Sequence, residues 1–313
     1  MRPLVSIVTP SYNQAQFLRD TIQSVIGQDY PRLEYLIVDG GSTDGSIDII
    51  KSYADRLTWW ISEQDNGQAN AINKGLQRAN GDFVAWLNSD DQYLPGVISQ
   101  VVREFAKYPD ISLLYADVQA VDEKGIVINH IKYGDWGLDG LLTFRIIGQP
   151  AVFLRRSALE KVGYLDESLH FLMDHQLWLR VARVSRIKYI TKTWAVARFH
   201  GGAKNVMSGD EMSREAYQIV AWMRDNEDFS NLLAACKGKI MAGAHRLHAY
   251  YLLEGGRAGE ALCYYGRSFL AHPGPAARDW KRIVYAMLKL VGLGGVRSIF
   301  MNWRRNRMNV LKR

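Results

Sequence analysis

The chain has 313 residues, 48% of them hydrophobic and 23% charged, which excludes a disordered protein and allows one large domain or two. Two cysteines, Cys236 and Cys263, are too few and too scattered for a disulfide framework or a zinc site, and a reducing, intracellular setting is expected. The net charge of +7 is uneven, because residues 278–313 hold ten Lys/Arg against one acid while the preceding chain is nearly neutral.

The first segment, MRPLVSIVTPSYN, lacks a long apolar stretch ending in a small-residue cleavage site, so no secretory signal is expected. LVSIVTPSYN reads as a strand running into a turn, and AQFLRDTIQSVIGQ has helical periodicity with Gly27 near its end. LEYLIVDGGSTDGS is a second buried strand entering a Gly-rich loop, followed by the helical IDIIKSYA. LTWWISEQDNG and ANAINKGLQRAN give a third strand and helix, and DFVAWLNSDD gives a fourth strand. This alternation predicts an α/β domain with a mostly parallel sheet flanked by helices. Such sheets hold ligands outside the carboxyl ends of their strands. Four successive ends carry Tyr12-Asn13, Asp39, Glu63 with Asp65, and Asn88 with Asp90 and Asp91, so a ligand site is expected at that rim.

ISLLYADVQAVD and AVFLRRSALEKVG read as strand followed by turn or helix, HFLMDHQLWLRVARV as a helix and RIKYITKTWAVARFH as a long extended stretch. Beyond residue 208 the pattern is helical. AHRLHAYYLLEGGRAGEALCYYGRSFLAHPGP resembles a single tetratricopeptide-type hairpin with Pro273 after it. Lys289 interrupts IVYAMLKLVGLGG, so no membrane-spanning helix is expected. In the tail, Val284, Met287, Leu288 and Val291 fall at helical spacing among Lys281, Arg282 and Lys289, with Trp280, Phe300 and Trp303 nearby. Basic residues mixed with aromatics favour an anionic membrane surface over nucleic acid; the competing reading is a stripe packed on the protein with solvated charges.

Neither G-x-G-x-x-G nor G-x-x-x-x-G-K-[ST] occurs, so phosphates must be neutralised by another device. Asp90 and Asp91 repel each other unless a cation or donors compensate; they are either a solvated turn or hard ligands for Mg²⁺ or Mn²⁺. Asp174 lies between Phe171, Leu172, Met173 and Leu177, Trp178, Leu179. It is either a partly desolvated general base or an acid favoured at a helix start. His200, followed by two glycines, is placed to complete a metal site, or Arg198 and Lys204 are placed to meet phosphate.

Together VSIVTPSYNQAQFLRDTIQSVIGQDYP, EYLIVDGGSTDGS, EQDNGQANAINKGLQRANGDFVAWLNSDD, VGYLDESL and MDHQLWLRV resemble the family 2 glycosyltransferases. The resemblance covers about residues 3–205 and implies a nucleotide-sugar-dependent catalytic domain of the GT-A fold over 1–205, with a helical region and basic tail over 206–313. It implies that Pro10 and Tyr12 cradle the nucleotide base and that Asp39 hydrogen-bonds it. Asp90 falls near the ribose or metal, Asp91 on the metal, and His200 near the metal and diphosphate. Asn88 stands where the family's D-x-D motif opens with Asp, and Gln149, in IIGQPAVFLRR, falls in a segment facing the acceptor. Ile72 occupies a position where many members carry Arg, which leaves Lys74 or Arg198 to supply that charge. Asp174 matches the general base of an inverting transfer of a hexosyl group from a nucleoside-diphosphate sugar to a saccharide or lipid-linked hydroxyl. Surface polysaccharide or glycoconjugate synthesis in the cytoplasm or at the membrane's cytoplasmic face is the implied setting, and no nucleic acid is expected. A sugar nucleotidyltransferase lacks support because TPSYNQAQF is not a Gly-, Arg- and Lys-containing loop. A non-catalytic binding module of the same fold is disfavoured by the presence of Asp91 and Asp174.

Overall fold

The four apolar runs of the first half are parallel strands: Val5–Ser11 (β1), Leu33–Asp39 (β2), Trp59–Ser62 (β3) and Phe83–Trp86 (β4), in the order β3-β2-β1-β4. Ala15–Ile26 (α1), Ser46–Ser52 (α2) and Gln68–Arg78 (α3) make the crossovers. Every residue of β1 is buried, as expected of a central parallel strand covered on both faces. Two of its buried hydroxyls are satisfied, Ser6 by Glu34 and Thr9 by the Tyr35 hydroxyl at 3.0 Å, whereas Ser11 Oγ at its carboxyl end is buried without a partner. Pro10 is tolerated in this strand because β1 pairs with β4 only over Val5–Val8. The Val8 carbonyl accepts from Leu87 N–H, so the missing Pro10 N–H lies on the same side, beyond the last rung. α1 buries Phe17, Leu18, Thr21, Ile22 and Val25 along one face, and α3 packs so closely on β1 that a Cβ at Gly75 would stand 2.3 Å from Val8 Cγ1.

The computed structural model describes residues 2–201 and 209–293, and the chain forms two compact units, residues 1–141 with 145–207 and residues 142–144 with 208–313. In the first unit the sheet continues through Gln92–Tyr93 (β5), Ile111–Asp122 (β6), Val127–Ile131 (β7), Val152–Arg155 (β8) and Arg186–Phe199 (β9). β8 runs antiparallel between β4 and β6, β6 is parallel to β9, and β5 and β7 add antiparallel to β9 and β6. The result is a nine-stranded mixed sheet that is wholly parallel where the four predicted strand ends gather. Val97–Lys107 (α4), Gly137–Leu142 (α5), Arg156–Val162 (α6) and Met173–Val184 (α7) complete the α/β arrangement. Its core joins Ile7, Leu18, Ile37 and Phe83 to Phe153 and Trp194, with Phe83 stacked on Phe105 at 4.2 Å. Side chains of this size contribute roughly 1.5–3 kcal/mol each when fully buried.

The second unit is helical: Gly209–Asp225 (α8), Glu227–Glu254 (α9), Ala258–Ala271 (α10), Pro273–Arg278 (α11) and Trp280–Leu290 (α12). Asn226 caps α9 by accepting from Asp228 N–H at 3.1 Å. The α9–α10 hairpin expected from the sequence forms, and small residues make its crossing. A Cβ at Gly238 would meet the Ala271 carbonyl at 2.8 Å, and Ser268 Oγ donates to the Ala242 carbonyl at 2.7 Å. Asp279 is buried between Arg246 and Arg282, at 3.3 and 3.2 Å. Lys204, Phe300 and Trp303 lie outside the described residues.

Candidate active site

The segment after β4 folds into a turn in which Asp91 N–H donates to the Asn88 carbonyl at 3.1 Å. α1 holds this turn, because Thr21 Oγ1 donates to the Asp91 carbonyl at 2.7 Å. Asn88 Nδ2 lies 3.4 Å from Asp91 Oδ2 and its Oδ1 accepts from Gln68 Nε2 at 2.8 Å, tying the start of α3 to the same turn. The end of β9 closes the rim: Arg198 N–H donates to Asp91 Oδ1 at 3.2 Å, and His200 Nε2 lies 3.1 Å from Asp90 Oδ2. Asp91 is 6% exposed. Burial, then the neighbouring Asp90 charge, pushes its pKa well above the ordinary carboxylate value, only partly offset by the Arg198 amide and Asn88.

These groups fit a hard divalent cation. Two adjacent carboxylates, one buried with its charge undercompensated, form the kind of set that holds Mg²⁺ or Mn²⁺ when phosphate oxygens supply further ligands. They do not form a closed protein cage, since no group of three or more His, Cys, Asp or Glu converges on a common point among the described residues.

At the β1 and β2 ends, Asn13 adopts a left-handed backbone conformation (φ 51°) that Asn tolerates. Its N–H donates to Ser42 Oγ and its Oδ1 accepts from Thr43 N–H, at 2.8 and 2.9 Å. Pro10 is buried in β1, whereas Tyr12 projects at the lip with 63% of its surface exposed. Asp39, expected to hydrogen-bond the base, ends β2. It is wholly buried and accepts from Gly41 N–H, Ser42 N–H, Ser42 Oγ and Ser62 Oγ, so both oxygens shape the loop. The carboxylate standing beside Gly40 belongs to Asp65, whose Oδ2 would lie 2.7 Å from a Cβ there.

A third group assembles on β4 from the other side. Gln149, in the turn before β8, donates from Nε2 to the Trp86 carbonyl at 2.7 Å, and its Oε1 is buried without a hydrogen-bond partner. Trp178 of α7 stacks on Trp86, with centroids 5.3 Å apart, and both indole N–H groups are buried without partners. Asp174 lies one helical turn before Trp178, half-buried in the first turn of α7, where its Oδ1 accepts from His175 N–H at 2.6 Å. Its charge reaches Tyr133, whose hydroxyl is pushed upward mainly by burial and then by Asp117 and Asp174. Asp174 is thus both a helix-start acid and a carboxylate flanked by buried Leu172, Met173 and Leu177.

Two cations expected to face phosphate are engaged elsewhere. Lys74 pairs with Glu63 at 2.7 Å. Arg198 is turned inward, contacting Asp20 at 3.3 Å and the Glu123 carbonyl at 3.0 Å, with its guanidinium 4.8 Å from the Phe17 ring centre. Sequence reading missed Thr21, Gln68 and Trp86; Thr21 looks like any residue of an amphipathic helix, and Trp86 like a strand core. An open cavity of about 540 Å³ adjoins the rim, lined by Asp122, Glu123, Phe199 and His200 among others. Another of about 480 Å³ lies at the amino ends of β1, β2 and β4, by Arg2, Arg32 and Asp82. The strand-end rule assigns the chemistry to the carboxyl rim, not to that cavity.

Comparison with known proteins agrees with this geometry. The chain is 45% identical over 188 residues, 58% of its length and 73% of the relative's, to the putative teichuronic acid biosynthesis glycosyltransferase TuaG of Bacillus subtilis. It covers 64% and 36% of two other curated relatives, so it spans only part of their length. Its fold matches S. aureus TarS 1-349 in complex with UDP-GlcNAc (TM-score 0.64, 18% identity, 97% of this chain and 92% of that one). It also matches the mannosyltransferase PcManGT of Pyrobaculum calidifontis in complex with GDP-Man and Mn2+ (TM-score 0.62, 19% identity, 97% and 83%). The glycosyl transferase family 2 model matches residues 6–163, from β1 through the β4 turn to the residue after α6, and to that family this chain belongs.

Proposed function

We propose that this chain transfers a hexosyl group, with inversion, from a nucleoside-diphosphate sugar to a hydroxyl of a saccharide or lipid-linked acceptor in surface polysaccharide or glycoconjugate synthesis. The observation that carries the reading is the buried Asp91 beside Asp90 and His200 at the carboxyl ends of parallel strands. The names of the similar proteins support it: one is described for teichuronic acid biosynthesis, one holds UDP-GlcNAc, and one holds GDP-Man with Mn2+.

In this reading Tyr12 and Pro10 flank the base, and Asp39 hydrogen-bonds it while also fixing the Gly41–Ser42 loop, with the Asp65 carboxylate nearby. Asn88 and Asp90 meet the ribose and diphosphate side; Asp90 and Asp91 would hold the cation together with diphosphate oxygens, and His200, paired with Asp90, stands beside them. When bound, Mg²⁺ or Mn²⁺ supplies Lewis-acid stabilisation of the departing diphosphate. Asp174 removes the acceptor proton, and Gln149 presents its unpartnered Oε1 to an acceptor hydroxyl. A single base suffices for one in-line displacement.

The test is a screen of nucleotide-sugars for donor hydrolysis, with Mn²⁺ and with excess chelator, on wild type and Asp91→Asn. Hydrolysis that needs the cation and disappears in Asp91→Asn is expected, with the fold intact by circular dichroism. Full activity in chelator would contradict the proposed ligand set.

A further inference from the structure

α12 presents its apolar residues to solvent. Trp280, Val284, Met287 and Val291 recur at intervals of four, three and four residues, one narrow stripe of the helix. They are 58%, 45%, 53% and 69% exposed, and Leu290 and Leu293 beside them are 58% and 54% exposed. The opposite side of the helix makes the packing contacts. Ala286 is fully buried, the Arg282 guanidinium lies 4.6 Å from the Tyr250 ring centre, and Lys289 Nζ lies near Gly256. Leu288, expected in the stripe, is half-buried and flanks it. Single exposed apolar residues are ordinary, but a contiguous row of them marks a contact surface.

Charge identifies what this surface meets. Lys281 is exposed, with its ammonium 5.6 Å from the centre of the Trp280 ring. The one acid of residues 278–313, Asp279, is buried between Arg246 and Arg282, so it cannot offset the surrounding positive charge at the surface. By composition the twenty residues after Leu293 add six Lys/Arg and no acid. A narrow apolar stripe with a Trp at one end and basic residues alongside matches a helix lying in a headgroup layer, whose apolar side enters the acyl boundary. No helix among the described residues is long and apolar enough to cross a bilayer.

We propose that α12 docks on an anionic lipid surface, with Trp280, Val284, Met287 and Val291 at the headgroup–acyl boundary and Lys281 drawn to lipid phosphate. Arg282 and Lys289, which the sequence offered for the same role, serve internal contacts instead. This inference stands apart from the glycosyl-transfer reading and fails or holds without it.

The experiment is co-sedimentation of the full chain with phosphatidylcholine vesicles and with phosphatidylcholine–phosphatidylglycerol vesicles, at low and high salt. Wild type, Met287→Glu/Val291→Glu and Lys281→Glu are compared, with melting temperature and sedimentation velocity as controls. Wild type is expected to bind anionic vesicles about 10-fold or more above neutral ones, and high salt should weaken that binding. The double variant should lose about 10-fold at an unchanged melting temperature, and Lys281→Glu should lose less. Absence of binding to anionic vesicles at low salt overturns the proposal. So does equal binding by wild type and the double variant, which leaves charge alone as the cause. A self-associating wild type that becomes monomeric in the double variant, with vesicle binding unchanged, assigns the stripe to a second copy and likewise overturns it.

Discussion

Asp91 has a buried carboxylate beside a second carboxylate, and two unlike partners offset that unfavourable arrangement: the turn that α1 holds from below and the end of β9. Arg198 takes part in an unexpected way. Its backbone N–H meets Asp91 while its side chain, pinned by Asp20, Glu123 and Phe17, anchors the strand end that carries that N–H. Arg198→Met should therefore weaken Mn²⁺-dependent nucleotide binding by about 10-fold or more, with partial rescue in Arg198→Lys. Calorimetric titration with UDP and GDP, with and without Mn²⁺, measures this; a lowered melting temperature with unchanged cation dependence would reduce Arg198 to packing. The adjacency of Asp90 and Asp91 was legible in the sequence because it is covalent. The direction of Arg198 was not. Between Ile190 and Ala195, β9 advances five residues while β6 advances two, from Ala116 to Val118. The three extra residues are an odd number, so they reverse which way the alternating side chains beyond them point.

The elements legible in the sequence are those whose burial is written into one continuous segment. β1, β2 and β4 read as apolar runs because parallel strands are covered on both faces, and α1, α3 and α7 declare themselves by periodicity. The antiparallel half was not legible in this way. β8 inserts between β4 and β6, and the two-residue β5 pairs with β9 about a hundred residues away, so no local pattern encodes either partner. The helical hairpin was legible through its tetratricopeptide-like pattern, and its glycines differ in ways only packing reveals. A Cβ at Gly243 of α9 would lie 2.6 Å from the Thr143 backbone, which cannot swing aside as a side chain does. Gly243→Ala should cost about 1–3 kcal/mol. Gly266→Ala in α10, where nothing lies within 4 Å, should instead stabilise the helix by about 0.5–1 kcal/mol. Urea unfolding separates them, and equal effects of the two substitutions would contradict the close approach at Gly243.

At the scale of the whole molecule, the proposed chemistry depends on bringing distant segments to one strand end. The family model matches residues 6–163, yet Asp174 and His200 lie beyond it, on α7 and just past β9. Trp178 stacking on Trp86 brings α7 to the end of β4, and Asp90 receives His200 at the same turn. Residue types made Asp174 and His200 visible in the sequence; the approach of α7 to Trp86 and of His200 to Asp90 came only from long-range packing. The central claim is that this convergence separates donor binding at the Asp90–Asp91 rim from proton removal at Asp174. The direct measurement is single-turnover transfer by Asp174→Asn alongside its affinity for the donor nucleotide-sugar, using the donor identified by the hydrolysis screen. Donor affinity within about 2-fold of wild type and transfer slower by about 10²-fold or more is the predicted result. Unchanged transfer would make Asp174 a helix-start acid and contradict the account.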